Sequence, residues 1–115
     1  MRVSPVGWAF DCEDEVLRQA RLTAEITHDH PEGIKGAQAT ALAVYLARTG
    51  ADKATIRSRI RTEFGYDLAG TVDTLRPGYT FDVSCQGTVP AALIAFLDAD
   101  SYEETVCNAV SLGGD

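Results

Sequence analysis

A long run of small apolar residues lies near the middle of this chain and constrains its fold more than any other feature. From Ile34 to about Thr49, alanine, leucine and valine occur on nearly every side of a helical projection, with no wide polar face. A helix of that kind is stable only when other elements cover it on several sides. Pro31 suits the first turn of this helix, and Gly50 suits its C-terminal cap. The segment therefore predicts a buried central helix.

Polar caps and apolar spacing predict two further helices around the central one. Asp11 is placed as an N-cap, three acids follow it in the first turn, and helical spacing continues over about 12–28. We interpret those acids as solvated capping residues rather than as a metal patch. Asp52 is predicted to cap a third helix, in which isoleucines share one face and basic residues share the other, and Gly65 ends it.

The second half of the chain predicts two more helices after a long loop. Residues 66–88 are rich in Gly, Thr and aromatic residues, which predicts a loop with at most a short strand pair. Residues 89–90, Val-Pro, begin the fourth predicted helix, and Ser101 with Glu104 forms a capping-box pattern before the fifth. Residues 1–10 contain Pro and Gly and are interpreted as a connection. Together these patterns predict an all-α fold of about five helices.

Composition and charge narrow the class of protein. The length of 115 residues suits one domain, and 10 basic against 17 acidic residues give a net charge of −7. Such a charge argues against a nucleic-acid-binding surface, which needs a basic face. Three widely spaced cysteines predict free thiols in a reducing cytosol. We find no signal peptide and no apolar run of membrane-spanning length, so we expect a cytoplasmic protein without a membrane partner.

Two polar segments are candidates for chemistry. His28 and His30 stand two residues apart beside Pro31, which suits a pair of metal ligands, a pocket wall or hydrogen-bonding core histidines. Residues 82–90 place hydroxyl, thiol and amide groups and a glycine before a predicted helix N-terminus, a common place to bind an anionic or polar ligand. A plain capped turn explains the same residues, and both interpretations stay open.

Three segments, at residues 1–5, 26–37 and 84–115, together resemble the ADP-ribosylglycohydrolase family, in particular its dinitrogenase reductase-activating type. Residues 1–5, Met-Arg-Val-Ser-Pro, are similar to the end of the family's Gly-Asn-Gly-x-x-Met-Arg-Val segment. Residues 26–37 are similar to the family's Thr-His segment before its central helix. The third segment runs from residues 84–90 to residues 111–115, whose Ser-Leu-Gly-Gly-Asp resembles the start of the family's Gly-Gly-Asp-x-Asp-Thr metal motif. The resemblance covers essentially the whole chain.

The resemblance implies an orthogonal helical bundle that hydrolyses the glycosidic bond between ADP-ribose and an acceptor such as protein arginine. It also implies two magnesium or manganese ions, which suit oxygen ligands. By position in the family motifs, Asp115 would be a metal ligand and His28 would line the ADP-ribose pocket, with Gln86 and Gly87 near the same pocket. The implied partner is ADP-ribose or an ADP-ribosylated protein.

The sequence also departs from the family pattern. The upstream Thr-Asp-Asp metal motif is absent from it, and so are the second Asp and the Thr of the C-terminal motif. We therefore expect residues 1–115 to be one partial domain, a fragment that binds magnesium poorly when isolated. The alternative function is a catalytically incomplete helical module that binds ADP-ribose or a protein. Because its central helix is apolar nearly all round, the chain is also expected to self-associate.

Overall fold

The computed structural model describes residues 2–27 and 29–113, and most of these residues are helical. These residues form seven helices and no strand, so the predicted all-α class is confirmed. The helices are α1 Ser4–Ala9, α2 Glu13–Glu25, α3 Pro31–Arg48, α4 Lys53–Phe64, α5 Val72–Leu75, α6 Cys85–Leu97 and α7 Tyr102–Leu112. They group into two compact units, Met1–Gly65 and Tyr66–Asp115. The single domain stays a prediction.

The central helix of the first unit is α3, as predicted. It packs against α1, α2 and α4 and buries Ala39, Leu42 and Leu46 among them. Pro31 is its first residue, where the missing N–H breaks no helical hydrogen bond. At the other end Thr49 is the cap, and Gly50 follows with φ +92°, a conformation that favours glycine.

Residues 4–9 form helix α1 and not the connection predicted for residues 1–10. Pro5 lies in the first turn of this helix, which tolerates proline. Gly7 faces α3 so closely that a Cβ atom there would lie 2.7 Å from Val44 Cγ1 and 2.8 Å from the Ala41 backbone oxygen. The glycine that suggested a break in the chain is therefore a site of close helix packing.

The side chain of Arg48 fastens the end of α1 to α3. Its guanidinium donates to the backbone oxygens of Gly7 at 3.1 Å and Phe10 at 2.8 Å. These carbonyls lie at the C-terminal end of a helix, where backbone oxygens have no helical donor. The same guanidinium lies over the rings of Trp8 and Tyr45, 5.8 Å and 5.4 Å from their centroids.

The N-cap predicted for α2 was wrong by one residue. Cys12 holds the cap position without a side-chain hydrogen bond, and the Asp11 carboxylate instead accepts from Arg48 at 3.3 Å. The Asp11 carboxylate therefore contacts Arg48 of α3 and does not cap α2. The three acids of the first turn are present as predicted, and one of them, Glu13, pairs with Arg59 of α4.

Helix α4 follows its sequence prediction closely. Asp52 caps it by accepting from the Thr55 N–H at 2.8 Å, and Gly65 ends it with φ +71°. The hydrogen bonds from Thr55 hold the pKa of Asp52 below its ordinary value. Ile56 and Ile60 are buried as expected from their spacing.

The second unit is built on α6, which contacts both α5 and α7. Leu93, Ile94 and Leu97 of α6 are buried. The Asp98 carboxylate, just after α6, accepts from the Val72 N–H at 3.1 Å and so satisfies a donor at the start of α5. This unit therefore has its own apolar core and its own polar link between elements.

The loop predicted over residues 66–88 begins where expected, but a short helix interrupts it and it ends before residue 88. Helix α5 lies within it, capped by a reciprocal pair of hydrogen bonds between Thr71 and Thr74. Helix α6 begins at Cys85, four residues before the predicted start, and Pro90 lies inside it. Ser84 is the N-cap, because its hydroxyl accepts a hydrogen bond from the Gly87 N–H. The helix therefore begins before Pro90, which the sequence pattern had suggested as a first-turn residue.

The capping box predicted for the last helix is half formed. Ser101 Oγ accepts from the Glu104 N–H at 3.1 Å, as predicted. The Glu104 carboxylate accepts from the Asp100 N–H at 2.7 Å, one residue before the expected partner. Gly113 ends α7 with φ +73°. Among the described residues no helix is both long enough and apolar enough to cross a membrane.

Gly7→Ala is expected to lower the free energy of unfolding by about 1–3 kcal/mol, because the added Cβ would overlap Val44 and Ala41. In an unhindered helix the same change would stabilise the protein, so the sign of the effect is informative. Urea unfolding measures it. Gly78→Ala is the matched control, since a Cβ at Gly78 meets nothing within 4 Å. Equal effects of the two substitutions would contradict the close approach of α1 and α3.

Candidate functional site

A cluster of hydrogen bonds holds the N-terminus of α6, where the sequence places a polar loop. Asp82 Oδ1 accepts from the Ser84 N–H at 2.7 Å, and Ser84 Oγ accepts from the Gly87 N–H at 3.2 Å. Thr88 Oγ1 donates to the Asp82 backbone oxygen at 2.8 Å. The predicted alternative of a capped turn is therefore present here. The three hydrogen bonds also hold the first turn of α6.

The Asp82 carboxylate is held in its ionised form. Hydrogen bonding from the Ser84 side chain, and next from its backbone, keeps the pKa of Asp82 below its ordinary value. A group with a lowered folded-state pKa stabilises the fold above its unfolded-state pKa. That stabilisation is lost as the pH falls through the folded-state value. The turn should therefore loosen only in acid, below about pH 4.

The Asp82 side chain occupies the space beside Gly87. An added Cβ would overlap Asp82 Oδ2 and would lie 2.6 Å from Asp82 Cγ and 3.2 Å from Ser84 Oγ. The φ of Gly87 is not positive, so the constraint is steric and not conformational. Gly87 is recognisable in the sequence by its place before a helix, but the carboxylate beside it becomes visible only in the folded turn. The Asp-x-Ser spacing was the available signal.

Gln86 lies in the first turn of α6 and is exposed. Pro90 stands four residues later and has no N–H, so it cannot donate the helical hydrogen bond to the Gln86 backbone oxygen. The first N–H groups of a helix also lack acceptors within the helix. Gln86 thus presents an exposed side-chain amide, and its backbone carbonyl has no helical donor at Pro90.

The other two predicted site residues, His28 and Asp115, lie outside the described residues. His30, the second member of the predicted histidine pair, caps α3, because its Nδ1 accepts from the Glu32 N–H at 3.2 Å. Within residues 2–27 and 29–113, no three His, Cys, Asp or Glu side chains come together as a metal site. The described residues therefore do not by themselves form the two-ion site that the family resemblance implies.

The contact between Gly87 and Asp82 predicts strong coupling between the two positions. Gly87→Ala should destabilise the protein by about 1–3 kcal/mol when Asp82 is present. In an Asp82→Ala background the same change should cost clearly less, because only the tight 3.2 Å contact with Ser84 Oγ remains. Urea unfolding of the two single variants and the double variant measures this coupling. Additive effects would show that the two residues do not compete for space.

Comparison with known proteins identifies the family. The family model described as ADP-ribosylglycohydrolase matches residues 1–115, the full length of the sequence. No curated protein and no solved structure gives a significant match. The match agrees with the all-helical fold and with the resemblance of the three segments at residues 1–5, 26–37 and 84–115. The chain therefore belongs to the ADP-ribosylglycohydrolase family.

Proposed function

We propose that this chain takes part in hydrolysis of the glycosidic bond between ADP-ribose and a modified acceptor, such as a protein arginine. The family match over residues 1–115 is the observation that carries the proposal. In the reaction, water adds to the anomeric carbon of the ribose, the bond to the acceptor breaks, and the acceptor nitrogen or oxygen leaves with a proton. ADP-ribose and the unmodified acceptor are the products.

The first turn of α6 supports binding of the ADP-ribose part. The Cys85 and Gln86 N–H groups of this turn have no acceptor within the helix, so they can donate to pyrophosphate or ribose oxygens of ADP-ribose. Gln86 adds an exposed amide that can both donate and accept hydrogen bonds, which suits ribose hydroxyls. Gly87 contributes by keeping the turn in place beside Asp82. We assign Gln86 and Gly87 to substrate binding and name no catalytic residue.

His28 and Asp115 enter the proposal through the family resemblance. We propose that His28 lines the ADP-ribose pocket and that Asp115 is a ligand of magnesium or manganese in a two-ion site. Each such ion takes about six oxygen ligands, of which one carboxylate supplies only one or two. No second ligand is assigned, because the described residues form no metal-binding cluster.

The alternative is that the chain binds ADP-ribose without hydrolysing it. The lack of a ligand cluster among the described residues favours this second candidate. We also propose a cytoplasmic location, supported by the three free cysteines. The self-association expected from the apolar α3 stays a prediction.

His28→Ala should weaken the binding of ADP-ribose about tenfold and leave the melting temperature almost unchanged, because a pocket residue contributes little to the core. Calorimetric titration with ADP-ribose measures the affinity. His30→Ala is the matched control two residues away. It removes the N-cap of α3 and should lower stability by about 1 kcal/mol without weakening ADP-ribose binding.

Release of ADP-ribose from an ADP-ribosylated arginine peptide, with and without magnesium, separates the two functions. Magnesium-dependent release supports the hydrolase, whereas binding without release supports the binding module. Absence of both binding and release contradicts both candidates. A large fall in melting temperature for His28→Ala would identify His28 as a core residue.

A further inference from the structure

The net charge of the protein comes from one of its two units. Residues 1–65 contain nine basic and nine acidic residues and are formally neutral. Residues 66–115 contain eight acidic residues and a single base, Arg76, so this unit carries the whole net charge of −7. A field of one sign over so short a segment attracts partners of the opposite sign.

Helix α7 in this acidic unit buries Leu112 but exposes three other large apolar side chains. Leu112 is buried, and Thr105 and Asn108, which share its side of the helix, are half-buried. Tyr102, Val106 and Val110 follow one another at intervals of four residues and are 86%, 43% and 73% exposed. Residues four apart are neighbours on a helix surface, so these three side chains form one continuous stripe.

A carboxylate stands within this stripe. Glu103 is exposed and lies three residues before Val106 and seven before Val110, which places it on the same side of the helix. We call Tyr102, Glu103, Val106 and Val110 the α7 outer face. The one base of the unit lies elsewhere, because Arg76 donates to Asp73 at 2.8 Å and to Ser111 at 3.0 Å. The outer face is therefore both apolar and acidic.

The size and charge of the α7 outer face decide which partner fits it. Three side chains offer roughly 300 Å² of apolar surface, whereas a stable interface between folded proteins buries about 800 Å² on each side. Two copies of the face would also bring like charges together, which opposes symmetric pairing. A single helical segment with apolar anchors at matching intervals and Lys or Arg beside them suits both the stripe and Glu103.

We propose that the α7 outer face docks a basic amphipathic segment of another protein. This inference goes beyond the proposed function, because it concerns a protein partner and uses none of the residues assigned to ADP-ribose. Its affinity combines burial of the three apolar side chains with attraction to an acidic unit. Attraction of that kind weakens as salt shortens its range to about 8 Å at physiological ionic strength.

The probe is a labelled synthetic peptide of about 18 residues with leucine at helical spacing and lysine at the other positions. Fluorescence anisotropy should show binding that weakens between about 50 mM and about 300 mM salt. Val106→Ser with Val110→Ser should reduce the affinity at least tenfold. Glu103→Lys should also reduce it, and should increase the affinity for a matched peptide that carries glutamate in place of lysine.

Leu22→Ser with Ile26→Ser is the control. Both residues are exposed, Leu22 on α2 and Ile26 as its C-cap residue, but they belong to the neutral unit. This control should leave binding unchanged, and circular dichroism should show native helix content in every variant. Equal loss in the α7 and α2 variants would overturn the proposal. The proposal would also be overturned if light scattering showed a dimer that dissociates in the Val106→Ser, Val110→Ser variant. A second copy of the chain would then occupy the α7 outer face.

Discussion

The close approach of α1 to α3 is the contact on which the first unit depends. Gly7 brings the α1 backbone against Ala41 and Val44, at a distance that leaves no room for a Cβ. In this arrangement Arg48 donates to the last carbonyls of α1 and satisfies them. Helix α3 also packs against α2 and α4, so this contact closes one side of the helix at the centre of the unit.

Much of this fold could be predicted from local signals. The apolar alanine-rich segment indicated the buried α3, and the Asp52 cap and Gly65 defined α4, since each signal acts within a few residues. Helix α1 was missed for a different reason. Pro5 and Gly7 are helix breakers by propensity, but here a first-turn proline is tolerated and the glycine meets α3. That contact joins residues more than 30 positions apart, and no local pattern reports it.

The sequence indicated which residues form the candidate site but not how they are arranged. Residues 82–90 were selected as a polar segment before a helix, but the helix was expected to begin at its Val-Pro pair. The Ser84 cap begins it earlier, so Gln86 and Gly87 lie within the first turn of α6 and not in a loop. The steric need for Gly87 arises from the Asp82 side chain, whose position depends on the folded turn. Family resemblance supplied the link to ADP-ribose, which composition and spacing could not.

The central claim is that the N-terminus of α6 forms part of an ADP-ribose site. Nuclear magnetic resonance of the ¹⁵N-labelled chain during titration with ADP-ribose tests this claim most directly. The account predicts that the backbone N–H signals of Gln86 and Gly87 shift with saturation, while that of Leu22 on the outer side of α2 stays in place. Saturable binding that leaves both α6 signals unmoved would contradict the account.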